Sequence, residues 1–570
     1  LNKLSSIIAA SKLKIIQDLI ASSTKEELVW INGYLSGVLS NGEEHPNEPA
    51  MGKSGISKIT IAYGTETGNS KKLATNFAVT AKKRGINAKV VSLDQYRLND
   101  LSKEEYFFTV ISTQGDGEPP AAAQKFYDHI HQNGFKVNQL KYGVLALGDT
   151  AYPLFCKAGE DIDAQLQKLG GERIVSLHKC DTDYESDAGN WFSQVLSKLS
   201  GNSPTTVPAA MPAGTRKSGK KIYTGSILKN IILNDRGSKK QTHHIEIAAE
   251  EIDYAPGDSI GIVPKNPAHV VEAIIALTGI DRTKELNYRN EQVSISDLLG
   301  SRLNIVYMPE RVVKQYSGIV HQDIPETKIS LLDLLKIYSV KNTSQFEEVI
   351  GILEPITPRL YSIASSKEAH GEEVHLTVAR DFFQINNETK IGLASDFLSQ
   401  LPENAELEFY VHRNDQFRLP AADKDVIMVG PGTGVAPFRS YLAERDSTGA
   451  GGRNWLFFGD QHFTTDFLYQ SEMQNWLDTG VLTKLSVAFS RDHQEKVYVQ
   501  HKMLNQAAEF YDWLENGAHV YICGAKEPMS VDVENVMLKI IQQAGNKSAE
   551  ESNEYLNVMK EEGRYLKDVY

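Results

Sequence analysis

The sequence predicts a multidomain chain in which two open α/β sheets flank an antiparallel β-barrel, and three observations predict it. Strand-like and helix-like segments alternate from Ile59 to about Leu199 and again after Asp425, the pattern of parallel sheets covered by helices on both faces. Between these stretches, short strand-like runs are separated by tight turns, Asp235-Arg236-Gly237 and Tyr254-Ala255-Pro256-Gly257-Asp258, as in an antiparallel sheet. A length of 570 residues also exceeds what one hydrophobic core organises.

The elements follow in order. Residues 1–56 are expected to be helical: Ile7, Ile8, Leu13, Ile15, Ile16, Leu19 and Ile20 are interrupted by Lys12, Lys14 and Asp18, which makes an amphipathic helix rather than a signal peptide. Such a helix serves packing on its own chain or self-association. Residues 57–200 form the first doubly wound sheet, with strands expected at Ile59–Tyr63, Ala88–Ser92, Tyr106–Ser112, Tyr142–Leu147 and Arg173–Leu177. Residues 201–219, rich in Pro, Ala and Thr, read as a flexible hinge. Residues 220–266 and 353–422 supply the barrel, with strands at Ile227–Leu233, His243–Ala248, Leu360–Ala364, Glu373–Val378 and Glu406–Val411 and a helical insertion over 267–352. His243 and His244 are expected to be a solvated strand pair. Residues 423–570 form the second α/β unit, with strands at Val426–Val429, Asn454–Phe458, Lys484–Phe489 and His519–Cys523.

Composition narrows the function. A net charge of −13 argues against a nucleic-acid surface. No apolar run reaches the length that spans a bilayer. Cys156, Cys180 and Cys523 are too scattered for a disulfide framework or a metal site, and so few cysteines suit the cytoplasm.

The motifs sit where strands end. Thr65-Glu66-Thr67-Gly68-Asn69-Ser70 lies between a strand and the helix expected over Lys71–Lys83; its hydroxyls and the amides of a helix N-terminus suit a phosphate dianion. Ser112-Thr113-Gln114-Gly115 and Leu147-Gly148-Asp149-Thr150-Ala151-Tyr152 follow two further strands of the same sheet, and ligands of such sheets bind at that edge. Arg359-Leu360-Tyr361-Ser362 combines a guanidinium for a pyrophosphate, a ring to stack on a flavin and a hydroxyl to bond it. Gly392-Leu393-Ala394-Ser395, ahead of a helix expected over Asp396–Leu401, offers small residues and free amides to a pyrophosphate. Gly430-Pro431-Gly432-Thr433-Gly434 follows a strand and opens a helix, as a dinucleotide turn does. Ser490-Arg491 and Lys496-Val497-Tyr498-Val499-Gln500 supply basic and hydroxyl groups of the kind that bind the extra phosphate of NADPH.

These stretches carry a resemblance that covers nearly the whole chain. The first unit resembles flavodoxins, with Thr65–Ser70 as the FMN phosphate loop and Ser112–Gly115 and Leu147–Cys156 (the latter adding Pro153, Leu154 and Phe155) beside the flavin ring. The rest resembles the ferredoxin–NADP reductase family, an FAD-binding barrel plus an NADP-binding unit, and the fusion resembles the diflavin reductases. The runs Arg359–Ser366, Asn454–Gly459, His462–Gln470, Lys496–Gln500 and Asp568–Tyr570 are most similar to the flavoprotein components of bacterial NADPH-dependent sulfite reductases.

That resemblance implies FMN, FAD and NADPH as cofactors, a homo-oligomer through the N-terminal segment, and a sirohaem sulfite reductase (beta) subunit as electron acceptor in sulfate assimilation and cysteine biosynthesis. It implies catalytic roles for Ser362, Cys523, Asp568 and Tyr570, FAD contacts at Thr377-Val378-Ala379, and an adenine-side contact at Asp532. Acidic residues near the FMN edge, Asp116, Glu118, Asp149, Asp181, Asp183, Glu185 and Asp187, would steer a basic acceptor. Two other readings stay open: a diflavin reductase serving a haem monooxygenase, and a flavin-binding assembly scaffold without turnover.

Overall fold

The computed structural model describes residues 58–65, 68–114, 117–132, 135–149, 154–181, 184–199, 221–289, 291–325, 329–385 and 388–570. The expected N-terminal segment and hinge lie outside the described residues. Among the described residues no helix is long and apolar enough to cross a membrane.

The first sheet is built from β1 (Lys58–Gly64), β2 (Asn87–Ser92), β3 (Tyr106–Ser112), β4 (Lys141–Leu147), β5 (Glu172–Arg173) and β6 (His178–Cys180). All its pairings are parallel, in the order β2-β1-β3-β4-β5, with β6 also on β4. Successive side chains of a strand face opposite ways, so a sheet covered on both faces needs apolar residues at every position. In β3, Tyr106, Phe108 and Val110 enter one core, with Phe77 stacked on Phe192 at 4.2 Å. Phe107 and Ile111 enter the other, against Phe126 and Tyr142. The covering helices include α1 (Asn69–Lys83), α2 (Ala121–His131), α3 (Lys157–Lys168) and α4 (Glu185–Leu199). The strand expected over Arg173–Leu177 is instead broken into β5 and β6. Arg173 is drawn to Asp163 (Nε–Oδ1, 2.8 Å), and the carbonyl of Ser176 accepts from the Trp191 indole at 3.1 Å, so the segment between leaves the ladder.

The barrel comprises β7 (Ile222–Ile232), β8 (Thr242–Ala248) and β9 (Ser259–Ile262), then β12 (Arg359–Ser362), β13 (Glu373–Ala379) and β16 (Glu406–His412), in the order β12-β9-β16-β7-β8-β13. A bridge between Ile363 and Leu376 ties its two edges together. The insertion leaves after β9 and re-enters at β12, where Ile262 and Arg359 are direct register partners. It packs its own core of Leu298, Phe346, Leu334 and neighbours. It is not wholly helical: β10 (Glu285–Tyr288) and β11 (Glu291–Ser294) form a hairpin within it. Another hairpin, β14 (Phe382–Ile385) with β15 (Glu388–Ile391), follows β13.

The last sheet is parallel throughout, β19-β18-β17-β20-β21, from β17 (Val426–Val429), β18 (Asn454–Asp460), β19 (Lys484–Phe489), β20 (His519–Gly524) and β21 (Tyr565–Val569). Ile427, Val429, Val520 and Ile522 face one core, while Val426, Met428, Tyr521 and Cys523 face the other. The sequence reading gives no strand at β21. There Tyr565 and Lys567 are held by Glu534 of a covering helix, and the parallel register sets Cys523 against Asp568.

His243 and His244 are buried rather than solvated. His243 Nδ1 meets Asn230 Oδ1 at 2.8 Å, and His244 Nδ1 meets the Tyr469 hydroxyl at 3.0 Å. His244, on the outer face of β8, is covered by Tyr469 from the lobe of the last sheet, while His243 points the other way and is closed in by Asn230 of β7.

Candidate functional sites

Strand order reverses beside β1 in the first sheet, and the crevice of an open α/β sheet opens at the carboxyl ends of the strands on either side of that point. Gly64 ends β1 and Ser112 ends β3. After β1 the Thr65 hydroxyl accepts from the Gly68 amide at 2.9 Å, and Gly68, at φ +88°, caps α1 in a conformation that side chains rarely adopt. Ser70 is wholly buried and its hydroxyl has no partner. A buried orphan hydroxyl in the first turn of a helix is what a phosphate oxygen would satisfy, so this cradle fits the phosphate of a mononucleotide.

Neighbouring loops converge there. The Thr113 amide donates to the Leu147 carbonyl at 3.0 Å and the Gly148 amide to the Cys180 carbonyl at 3.0 Å. The Ala158 amide reaches the Thr113 hydroxyl at 3.3 Å, and Gln114 closes a turn on Glu118. Leu147 and Cys156 are core residues, and burial pushes the Cys156 and Cys180 thiols up to about 12. Asn69, Asp149, Leu154 and Phe155 lie on the same loops. The expected contributions of Glu66, Thr67, Gly115, Thr150, Ala151, Tyr152 and Pro153 lie outside the described residues, as do Asp116 and Asp183. Of the acidic set, Glu118, Glu185 and Asp187 are exposed.

The second site lies between the barrel and the last sheet. On β12, Arg359 and Leu360 are exposed, and the Arg359 guanidinium donates to Thr357 Oγ1 at 2.7 Å. Tyr361 packs against the barrel core, and burial raises its phenol. The Ser362 hydroxyl donates to Asp568 Oδ2 at 3.1 Å, so a barrel strand and the last strand of the third lobe meet at one bond. Cys523 is fully buried in register with Asp568; burial raises its thiol well above the ordinary range, and burial likewise raises the Asp568 carboxyl.

Tyr570 is tied back to this centre. Its amide donates to the Gly524 carbonyl at 3.1 Å, and its hydroxyl shares a 2.8 Å hydrogen bond with Thr433. The turn bearing Thr433 and Gly432 is pressed onto β20: a Cβ on Gly434 would stand 2.2 Å from the Cys523 carbonyl oxygen. Only glycine permits that approach.

Other expected residues sort differently. The helix after Gly392 spans Leu393–Ser399, not Asp396–Leu401, so Gly392 precedes it directly. Ser395 Oγ there donates to the Gly392 carbonyl at 3.0 Å and accepts from the Asp381 amide at 3.1 Å, while Ala394 is buried. The Thr377 hydroxyl shares a 2.7 Å bond with Tyr469 of the third lobe, and Val378 is a core residue beside Ala379. Both facts leave chiefly the backbone of this strand for a cofactor. Ser490 is bonded through its amide to the Asp460 carbonyl at 2.9 Å, and Arg491, Lys496 and Tyr498 are exposed beyond it. Val499 is a core residue, with Val497 packed beside it; Gln500 reaches Asp532 at 3.3 Å.

Sequence reasoning missed Lys240. It comes from the turn between β7 and β8, yet its ammonium contacts both Asp460 oxygens at 2.6 Å, close to Gly432. Only its place in a polar turn before a strand marked it. A grouping of His244, Glu246 and His375, whose ligand atoms lie within 4.8 Å of one another, also went unforeseen. Its atoms are engaged: His375 Nδ1 accepts from Arg439 at 3.1 Å, and Glu246 is paired with Lys229 at 3.1 Å.

Comparison with known proteins agrees with this geometry. Residues 61–191 match the flavodoxin family and residues 428–535 match the oxidoreductase NAD-binding domain. The chain is 38% identical to the sulfite reductase [NADPH] flavoprotein alpha-component of Bacillus subtilis over 98% of both chains. It is 37% identical to that of Vibrio cholerae over 100% of this chain and 97% of the relative, and 36% identical to that of Photobacterium profundum over 97% of each. With two cofactor-fitting sheet edges and this identity along nearly its full length, the chain belongs to the family of sulfite reductase flavoprotein alpha-components.

Proposed function

We propose that the chain takes a hydride from NADPH at the Ser362–Cys523–Asp568 centre and delivers electrons one at a time, from FAD through FMN, to a sirohaem-containing sulfite reductase subunit that makes sulfide for cysteine synthesis in the cytoplasm. The observation that carries this reading is the Ser362–Asp568 bond, which joins the barrel to the dinucleotide-binding sheet beside Cys523. The cofactors supply the redox chemistry; the protein supplies orientation and charge. Tyr361 offers a ring face to the flavin of the barrel, and Arg359 a guanidinium to its pyrophosphate. Asp568, held by Ser362, places a carboxylate where the nicotinamide becomes cationic as it gives up hydride. The hydroxyls of Thr65 and Ser70 and the first amides of α1 hold the FMN phosphate. Residues 1–56 serve self-association, and 201–219 let the flavodoxin unit move between the barrel and its acceptor.

The test mixes the flavin-loaded chain with a purified sirohaem sulfite reductase subunit and follows NADPH-dependent sulfide formation. Sulfide in proportion to NADPH consumed is expected. NADPH-dependent flavin bleaching without sulfide would refute the acceptor, and no bleaching at all would refute the enzyme reading.

A further inference from the structure

Asp460 stands at an unexpected place for a carboxylate. It ends β18, and its carbonyl accepts from the Ser490 amide at 2.9 Å, which joins it to the segment that carries Ser490, Arg491 and Lys496. The glycine before it, Gly459, is wedged between the other two coenzyme segments: a Cβ there would stand 2.9 Å from Val499 and 3.5 Å from Pro431. The side chain is 1% exposed, and burial raises its carboxyl despite an attached cation. An anion buried between two segments suited to phosphates opposes the ligand they are built for, unless it acts on something else.

What it acts on is Lys240. The lysine crosses from the barrel turn, donates to both Asp460 oxygens at 2.6 Å, and brings its ammonium to 3.9 Å from where a side chain would begin at Gly432. It therefore puts a cation beside the dinucleotide turn, and Asp460 compensates its charge in place. Asp460 is independently anchored, since its Oδ1 accepts from the Gln461 amide at 2.6 Å. The same barrel turn is clasped to this lobe by Asn234, which donates to Asp466 Oδ1 at 2.9 Å, so the position of Lys240 does not depend on Asp460 alone.

We propose that Asp460 is an affinity-limiting counter-charge: by neutralising Lys240 it holds down the affinity of the glycine turn for the coenzyme diphosphate, so that oxidised coenzyme leaves readily. The inference rests on the NADPH reading above. Asp460 acts through Lys240 and is a positioning residue, not a catalytic one.

The experiment compares D460N with the unaltered chain. Asparagine keeps the shape and the acceptor for Gln461 but frees the lysine charge. Dissociation constants for NADP+ and for 2′-AMP, which lacks the diphosphate, are measured by calorimetry at low and high salt, with KM and kcat for NADPH alongside. D460N should bind NADP+ roughly three- to tenfold more tightly at low salt. The gain should shrink as salt rises, 2′-AMP affinity should stay unchanged, and KM should fall without a rise in kcat. In a K240Q background D460N should produce no gain, and this pair of variants separates the effect from misfolding. Unchanged or weaker NADP+ binding in D460N, or an equal gain for 2′-AMP, would overturn the inference. Failure of the unaltered chain to bind NADP+ would overturn the coenzyme reading with it.

Discussion

In the proposed function, hydride transfer turns on a carboxylate that resists ionisation. Asp568 is pushed above its ordinary value of 3.8 by burial, with one hydroxyl, that of Ser362, opposing the shift. Only the ionised form stabilises a nicotinamide that is becoming cationic. As pH falls, protonation removes that stabilisation, and because the folded value is raised the loss begins at a higher pH than for a solvated aspartate. D568N should slow NADPH-dependent flavin reduction about 10- to 100-fold and erase this acid limb, as read by stopped-flow absorbance across pH. Ser362, Cys523 and Asp568 were singled out together through the family resemblance alone, since 206 positions separate the serine from the aspartate it bonds. Lys240 and Asp460 were not: 220 positions separate them, and no local pattern pairs a turn lysine with a strand-end aspartate.

At the scale of elements, the turn before β9 and the loop after β16 are held together by one buried acid. Asp258 is fully buried, accepts from Arg413 at 3.0 Å and from the amides of Ala255 and Asn414 at 2.9 Å each, and is ion-paired with Arg418 at 2.5 Å. Removing the acid costs the Ala255 and Asn414 amides their charged acceptor, while Arg413 and Arg418 stay open to water and keep Asp253 and Asp415, so D258A should cost about 1.5–3 kcal/mol. Denaturant unfolding followed by flavin release from the barrel should show this, and D258N should cost less. The elements themselves were largely legible. Short strand-like runs between tight turns announced the barrel strands, and strand-like runs alternating with helix-like ones the parallel sheets. What failed was local. The segment Arg173–Leu177 has strand composition but yields its carbonyl to Trp191. β21 hides in a stretch whose Lys567 and Tyr565 find their partner only in the folded lobe.

At the scale of the molecule, the barrel and the third lobe are bonded through histidines that remain neutral. His244 lies against Tyr469, and Arg439 reaches both the Ala364 carbonyl at 2.8 Å and His375 while paired with Glu472. Burial, then the Arg439 charge, pulls His244 down from 6.5 to about 4 and His375 to about 2. A histidine whose folded value is lowered binds its proton more readily when unfolded, so stability is lost as pH drops below 6.5 and continues to fall until the folded value is reached. For His244 alone the loss approaches about 3 kcal/mol near pH 4. Thermal unfolding between pH 7 and pH 4 should therefore steepen in the unaltered chain relative to H244Q, which keeps a donor for Tyr469 but does not titrate. A solvated pair was the natural reading of two adjacent histidines on a strand, because no sequence pattern tells a strand that another lobe will cover the face that bears His244, or that Asn230 will close over His243.

The insertion has a wider consequence. Because Ile262 and Arg359 face each other across one ladder step, everything between them is a cassette whose two ends share a single doorway. The barrel registers only that the doorway closes, and the entropy of closing it grows by just about 0.6 kcal/mol for each doubling of the enclosed chain. The cassette is thus free to lengthen, shrink or be exchanged while β12 keeps its register on β9.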